Sequence, residues 1–326
     1  MLYTGFCVFT SSSGEAALIG AVDIGGTKIA VGLIRESGQV AASAEWPTNS
    51  FPQPHHAMAQ LAEWLTNASA AANELLSGVG VACTGPVDPK TGTVGDVKLL
   101  PGWQGFPLAA RLSGRLSLTV AIENDADAAA LAEAKWGAGR NASRFLYVTI
   151  STGIGAGIIL DGCVYRGVEG SHPELGHQAL DPGGPLCYCG ALGCWESLAS
   201  GPAMARWARA NAGADCEQPL ELTARGVCDL ARLGHDFAKR AVQNEARWLG
   251  IGLANLVTIF CPDVVALGGG VMESADLFLE PAREIVRTRC KEVPFEKARI
   301  LPATLGRDAA LLGAARVWQT RFQESE

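Results

Sequence analysis

The sequence predicts a duplicated α/β fold with two lobes around a cleft and a metal-stapled loop in its second half. Three observations carry this. The segments AVDIGGTKIAVGLI (21–34) and FLYVTISTGIGAGIILDG (145–162) each read as strand, glycine turn, strand. Setting Asp23-Ile24-Gly25 over Ser151-Thr152-Gly153 aligns them at a constant offset of 128 residues, so each hairpin opens its own α/β unit. Finally, His177, Cys187, Cys189 and Cys194 crowd into one loop rich in proline and glycine.

The elements follow in order. A helix over 54–76 leads to a buried strand at 78–85, which Gly85-Pro86 breaks into a loop. A strand at 116–124 runs into an Ala-rich helix, 125–137, closed by Gly137. After the second hairpin and the cysteine loop the pattern turns helical, over 200–213, 222–234 and 235–260. A strand at 263–269 and a last helix at 309–322 complete the chain. The expected division is an extension at 1–16, a first α/β lobe at 17–124 and a larger second lobe at 125–305. The last segment, 306–326, is expected to pack back on the first lobe as a helix.

A length of 326 residues suits two cores, and 48% apolar with 18% charged residues is globular composition. The net charge of −7 argues against nucleic acid or an anionic membrane as partner, but not against a nucleotide, which needs only local donors. No apolar run approaches the roughly 18–20 residues that span a bilayer. The start lacks a basic n-region, so no secretory signal is expected and the protein reads as cytoplasmic. Of ten cysteines, seven lie scattered in apolar surroundings and read as buried thiols.

In DIGGTK (23–28), Gly25 and Gly26 let the backbone approach an anion, and the Thr27 hydroxyl can join its N–H groups on phosphate oxygens. Asp23 could hold a Mg²⁺-bound water, and Lys28 either adds charge or points into solvent. An ordinary hairpin turn explains the same residues. In STGIGAG (151–157), Thr152, Gly153 and Gly155 could form the opposing half of a phosphate clamp. Gly268, Gly269 and Gly270 follow a strand and would let a flat base or ribose lie against the backbone, or simply make a tight turn.

Asn124 and Asp125 fall where a strand ends, the usual place for ligands in open α/β sheets. Asp125 could accept a hydroxyl proton as the oxygen attacks phosphorus. It is equally an N-cap for the helix behind it, as are Asn124 and Asp127. The cysteine loop is the most specific signal. Three thiolates and one imidazole fit a closed structural Zn²⁺ site, with no position left for a catalytic water. Glu174 and Glu196 bracket it and could take sugar hydroxyls from a rigid platform.

Taken together these residues resemble the ROK family of bacterial sugar kinases and regulators, in the hexokinase/actin-like ATPase superfamily. DIGGTK, TGPVD (84–88), LPGW (100–103), END (123–125), STGIGAG, ELGH (174–177), CYCGALGCWE (187–196) and LGGGV follow the family's order from about Ala17 to Trp318. The resemblance implies an actin-like, ribonuclease H-like duplicated fold and an ATP-dependent kinase acting on the 6-hydroxyl of a hexose, glucose first. It makes Asp125 the base and Asn124 a sugar ligand. Glu174, His177, Glu196 and Gly85 become sugar contacts, with His177 also on zinc. Residues 23–28, 151–155 and 268–270 would surround ATP and Mg²⁺. A homodimer is implied by the likeness alone.

Two departures bear on the sugar. Many glucokinases of the family carry asparagine where Leu99 stands, and Lys98-Leu99 looks closer to N-acetylmannosamine kinases. GVEGSHP (167–173) also lacks the family's small-residue run. An N-acetylmannosamine or N-acetylglucosamine kinase is therefore the alternative. A sugar-responsive regulator ranks lower, since the few residues before the first core strand are too short for a helix-turn-helix. A sugar-binding protein without catalysis is disfavoured by the base and both glycine turns.

Overall fold

The computed structural model describes residues 18–51, 53–213 and 222–324, so the expected extension at 1–16 lies outside the described residues. In chain order the elements are β1 (Leu18–Ile24), β2 (Lys28–Ile34), β3 (Val40–Pro47), α1 (Pro54–Ala72), β4 (Leu76–Cys83), β5 (Val87–Asp88), β6 (Thr93–Val94), α2 (Leu108–Leu116), β7 (Val120–Asn124) and α3 (Asp125–Trp136). Then come β8 (Arg144–Ile150), β9 (Ile154–Leu160), β10 (Cys163–Val164), α4 (Trp195–Ala199), α5 (Gly201–Ala210), α6 (Ala224–Arg232), α7 (Asp236–Phe260), β11 (Val264–Gly268), α8 (Leu279–Arg289), β12 (Arg299–Pro302) and α9 (Ala309–Phe322).

Two sheets repeat one topology. The first runs β3-β2-β1-β4-β7 and the second β10-β9-β8-β11-β12. In each, a glycine-turn hairpin supplies an antiparallel pair, β1 with β2 and β8 with β9. The hairpin's first strand then takes a parallel neighbour on its other side, β4 or β11. The repeated hairpins thus open a duplicated fold, but β8 and β9 follow β1 and β2 at an offset of about 126 residues. The 128-residue register is corrected accordingly: Asp23 lies inside β1, whereas Ser151 belongs to the turn after β8.

Among the described residues, one unit comprises 18–136, 164–172 and 307–324, and the other 137–163 and 173–306. The sequence division at 124/125 is corrected to 136/137, because α3 stays with the first unit. Its alanines pack on α9, where a Cβ added at Gly313 would meet the Ala128 carbonyl oxygen at 2.1 Å. The segment 164–172 also returns to the first unit, which no sequence pattern announced. Helix α9 lies against β4 so closely that a Cβ at Gly80 would fall 1.7 Å from the Ala314 carbonyl oxygen.

Each unit has its own core. The first collects Leu18, Val22, Ile24, Leu61, Leu65, Val79 and Val81 from its sheet and α1. The second wraps β8, β9 and β11 around the long α7, with Leu249, Leu253 and Val257 buried. Cys83, Cys228 and Cys290 are buried thiols as expected, but Cys163 and Cys261 are exposed. Cys163 sits in a two-residue edge strand, and Cys261 caps α7 in the left-handed region at φ 43°, so neither reaches a core. Among the described residues no helix is long and apolar enough to cross a membrane.

Candidate active site

In the first unit three strand ends meet. The Thr84 N–H donates to the Ile24 carbonyl at 2.9 Å, tying the end of β4 to that of β1. Asn124 ends β7, and its Nδ2 donates to the Gly85 carbonyl at 3.2 Å. Gly85 holds φ +78°, where a side chain would also strike Val97, so the loop after β4 needs glycine there.

The competition over capping resolves by one residue. Asn124 Oδ1 accepts from the Ala126 N–H at 2.9 Å and the Asp127 N–H at 3.3 Å, the bonds of an N-cap. Asp125 takes only the Ala126 N–H, at 2.8 Å on Oδ1, and a hydrogen bond from the Thr84 hydroxyl. Asp127 is no cap at all. Fully buried, it accepts from His172 Nδ1 at 2.9 Å and Arg166 at 3.5 Å.

Burial raises the proton affinity of Asp125. The Ala126 N–H, the Thr84 hydroxyl and the charge of His172 oppose the rise, and Asp127 reinforces it. Asp23, at the end of β1, is pushed up to about 7 by burial first and by the Asp125 charge next, with Lys28 opposing. Two carboxylates of raised proton affinity at neighbouring strand ends, one acting on the other, are the pattern of a reactive or cation-binding centre.

The turn 25–27 is braced by the Gly25 N–H on the Lys28 carbonyl at 2.9 Å and by the Thr48 hydroxyl on the Gly25 carbonyl at 2.7 Å. Thr27 is exposed. Lys28 lies on β2 with its ammonium 3.0 Å from Glu45 on β3, so much of its charge is already met. Leu99 packs over Gly26, where an added Cβ would lie 2.9 Å from the Leu99 Cβ.

In the second unit the metal loop is a knot of backbone bonds. Leu180 N–H donates to Gly193 O at 2.8 Å, Cys187 N–H to Ala191 O at 2.8 Å and Trp195 N–H to Gln178 O at 2.9 Å. The ligand atoms of His177, Cys187, Cys189 and Cys194 all lie within 4.8 Å of one another. Cys189 and Cys194 sulfurs are 3.5 Å apart, and His177 Nδ1 is 3.6 Å from Cys187 Sγ, close to the edges of a tetrahedron with Zn–S bonds of about 2.3 Å. The donor set therefore fits Zn²⁺, with Nδ1 as the imidazole ligand. The other nitrogen, Nε2, is 2.9 Å from the Tyr188 hydroxyl, a contact that sequence reading missed although Tyr188 lies between two ligands.

Helix α4 begins directly at the last ligand and carries Glu196. Its Oε2 accepts from the Ile154 N–H at 3.0 Å. Burial raises this carboxyl's proton affinity, the Ile154 bond and His177 oppose, and Glu174 reinforces it, so Glu174, His177 and Glu196 form one polar group. Gly153 belongs beside them, for a Cβ there would sit 2.3 Å from Glu196 Oε2. The second hairpin turn is thus shaped around the carboxylate, while Thr152 is exposed at its tip and Gly155 pairs with Thr149 in the ladder. Gly269 has φ +89° and backs onto the Ile150 carbonyl, Gly268 backs onto Tyr147, and Gly270 faces open space.

A duplicated ribonuclease H-like sheet pair, with carboxylates at its strand ends and a thiolate–imidazole knot, defines a sugar kinase of the actin-like ATPase superfamily. Residues 19–321 match the ROK family. A glucokinase of Streptomyces coelicolor is 35% identical over 310 residues, 90% of this chain and 95% of that one. The crystal structure of a ROK hexokinase from Thermus thermophilus shares 36% identity with a TM-score of 0.80, covering 94% of this chain and 100% of that one. That of a ROK family glucokinase from Streptomyces griseus, in complex with glucose and AMPPNP, shares 35% with a TM-score of 0.77, covering 91% and 98%. The chain belongs to the ROK family, as one of its ATP-dependent sugar kinases.

Proposed function

We propose that the chain moves the γ-phosphoryl group of ATP to the 6-hydroxyl of a hexose, with glucose the first candidate and Asp125 as general base. One observation carries this reading: Asn124 caps α3, so Asp125, the residue that follows β7, gives the helix a single bond, to the Ala126 N–H. Its raised proton affinity brings it nearer the operating pH, where a base removes a hydroxyl proton most effectively. The hydroxyl oxygen then attacks the γ-phosphorus, ADP leaves, and the proton stays on Asp125 until product departs.

Asn124, Gly85, Glu174, His177 and Glu196 would orient the sugar's hydroxyls, with the carboxylates accepting from them. Residues 23–28, 151–155 and 268–270 would hold the nucleotide. Mg²⁺, with Asp23 among its outer ligands, would neutralise phosphate charge. Zn²⁺ on the four-ligand knot would supply shape alone. Reduced thiols are what that knot needs, which suits the cytoplasm. A homodimer completes the proposal, and light scattering on the purified chain tests it.

A second acceptor class, an N-acylhexosamine such as N-acetylmannosamine or N-acetylglucosamine, is favoured by Leu99, which puts an apolar side chain over Gly26. A coupled ADP-release assay across glucose, fructose and the two N-acetylhexosamines separates the readings by kcat/KM. Asp125→Asn should lose about 10²–10⁴-fold in kcat while calorimetric sugar binding persists. Unchanged turnover in that variant removes Asp125 from the mechanism.

A further inference from the structure

We infer that His172, held on the buried carboxylate of Asp127, is a positioning residue that fixes the start of α3 and sets a positive charge beside the base. The inference rests on the kinase reading above, and goes beyond it in assigning a role to the 164–172 segment.

Asp125 is flanked in the chain by two further acids, Glu123 on β7 and Asp127 on α3. Their side chains are 5% and 0% exposed. Buried carboxylates are costly unless paired, and unpaired ones take up protons or pull their elements apart. The cations that meet them come from one short stretch. Arg166 reaches Glu123 Oε2 and lies 3.5 Å from Asp127 Oδ2, while His172 Nδ1 is 2.9 Å from the same Asp127 oxygen. Asp127 Oδ1 is buried without a hydrogen-bond partner, so the whole compensation of that acid falls on Oδ2. The pairing also explains why 164–172 belongs with the first unit although the chain on either side of it does not.

The same imidazole acts on the base. Facing Asp125 are Asp23 from β1, the Cys83 thiol and Thr84 hydroxyl from the end of β4, and Asp127 with the Ala126 N–H from its own helix. His172 faces it from the returning segment. Asp23 and Asp127 are acidic and favour protonated Asp125. Lys28, the cation acting on Asp23, is drawn to Glu45. His172 is thus the cation that acts on Asp125 directly, and its charge opposes the effect of burial. Without it Asp125 holds its proton to higher pH and the base is lost earlier on acidification.

The test is the pH dependence of kcat/KM for the preferred sugar. His172→Asn keeps an N–H donor for Asp127 and removes the charge, His172→Ala removes both, and His172→Gln repeats the first test with a longer amide. Expected for Asn and Gln is an acid limb moved to higher pH, with plateau kcat within about threefold of wild type and calorimetric sugar affinity unchanged. Expected for Ala is the same displacement plus about tenfold or more lost from plateau kcat, as the base's helix start loosens. If folded Asn and Gln variants trace the wild-type limb, His172 is only a tether and the inference fails while the kinase reading stands. If wild-type chain turns over none of the sugars, both fall.

Discussion

Gly153→Ala separates the two roles open to the second hairpin turn, because the structure says what the new methyl group would meet. The Cβ would lie 2.3 Å from Glu196 Oε2 and 3.1 Å from its Cδ. Carbon and oxygen in contact need more than 3 Å, and the carboxylate is the mobile end of a side chain, so Glu196 moves and the backbone stays. What is lost is the 3.0 Å bond from the Ile154 N–H, and with it the aim of the carboxylate. A hydrogen bond to a charged group contributes about 1.5–3 kcal/mol, and each 1.4 kcal/mol is tenfold, so an interaction with sugar that depends on this aim should weaken by about 10- to 100-fold. The assay is ADP release with each substrate varied in turn. KM for sugar should rise by that factor, KM for ATP should stay within about twofold, and zinc content should be unchanged. A variant with normal sugar KM and a raised ATP KM would refute the reasoning and return Gly153 to the nucleotide.

Three further outcomes are expected. Cys189→Ser should lose bound zinc, read by elemental analysis, and with it about 100-fold or more in kcat/KM, because Glu174, His177 and Glu196 all hang from the knot; full activity in zinc-free Cys189→Ser would exclude a structural metal. Glu245 on α7 is wholly buried, neither carboxylate oxygen has a hydrogen-bond partner, and burial raises its pKa from 4.5 to about 8. It therefore contributes stability that is complete below 4.5 and fades as pH climbs to about 8, at most about 5 kcal/mol at about 1.4 kcal/mol per pH unit. Glu245→Gln should flatten the fall in Tm over that range and exceed wild type at its alkaline end, whereas parallel Tm curves would show that Glu245 ionises freely. Gly80→Ala, whose methyl would lie 1.7 Å from the Ala314 carbonyl oxygen, should cost about 3 kcal/mol or more by prising α9 from β4, seen as a lowered urea midpoint.

Local chemistry made part of this molecule readable in advance. Glycine turns between β-branched runs announced both hairpins, and thiolate spacing announced the metal knot, since each depends on residues within one loop. Elements with weaker patterns escaped. β3 is largely Ala, Ser and Glu and half exposed, so no apolar alternation marks it. Helix α2 spans nine residues and ends at Ser117 in the left-handed region, φ 54°, which also moves the start of the following strand from 116 to Val120. The strand expected through Gly85 stops at Cys83 for a similar reason, the tie of Thr84 to the end of β1.

The site shows the same limit more sharply. Whether Asn124 or Asp125 caps α3 is a shift of one residue, smaller than the uncertainty with which any sequence pattern places a helix end. It also decides whether the acid is structural or reactive. The structure settles the cap through the carbonyl of Asn124's own side chain, held from behind by its amide on Gly85, 39 residues away in sequence. Gly153 leaves room for Glu196, 43 positions later, and Asp127 meets His172, 45 later. A motif therefore names the residue types a reaction needs, while the division of labour among them is set by partners that only folding supplies. Asp125 is relieved of capping its helix because Asn124 takes the cap, while Asp127 is engaged by His172.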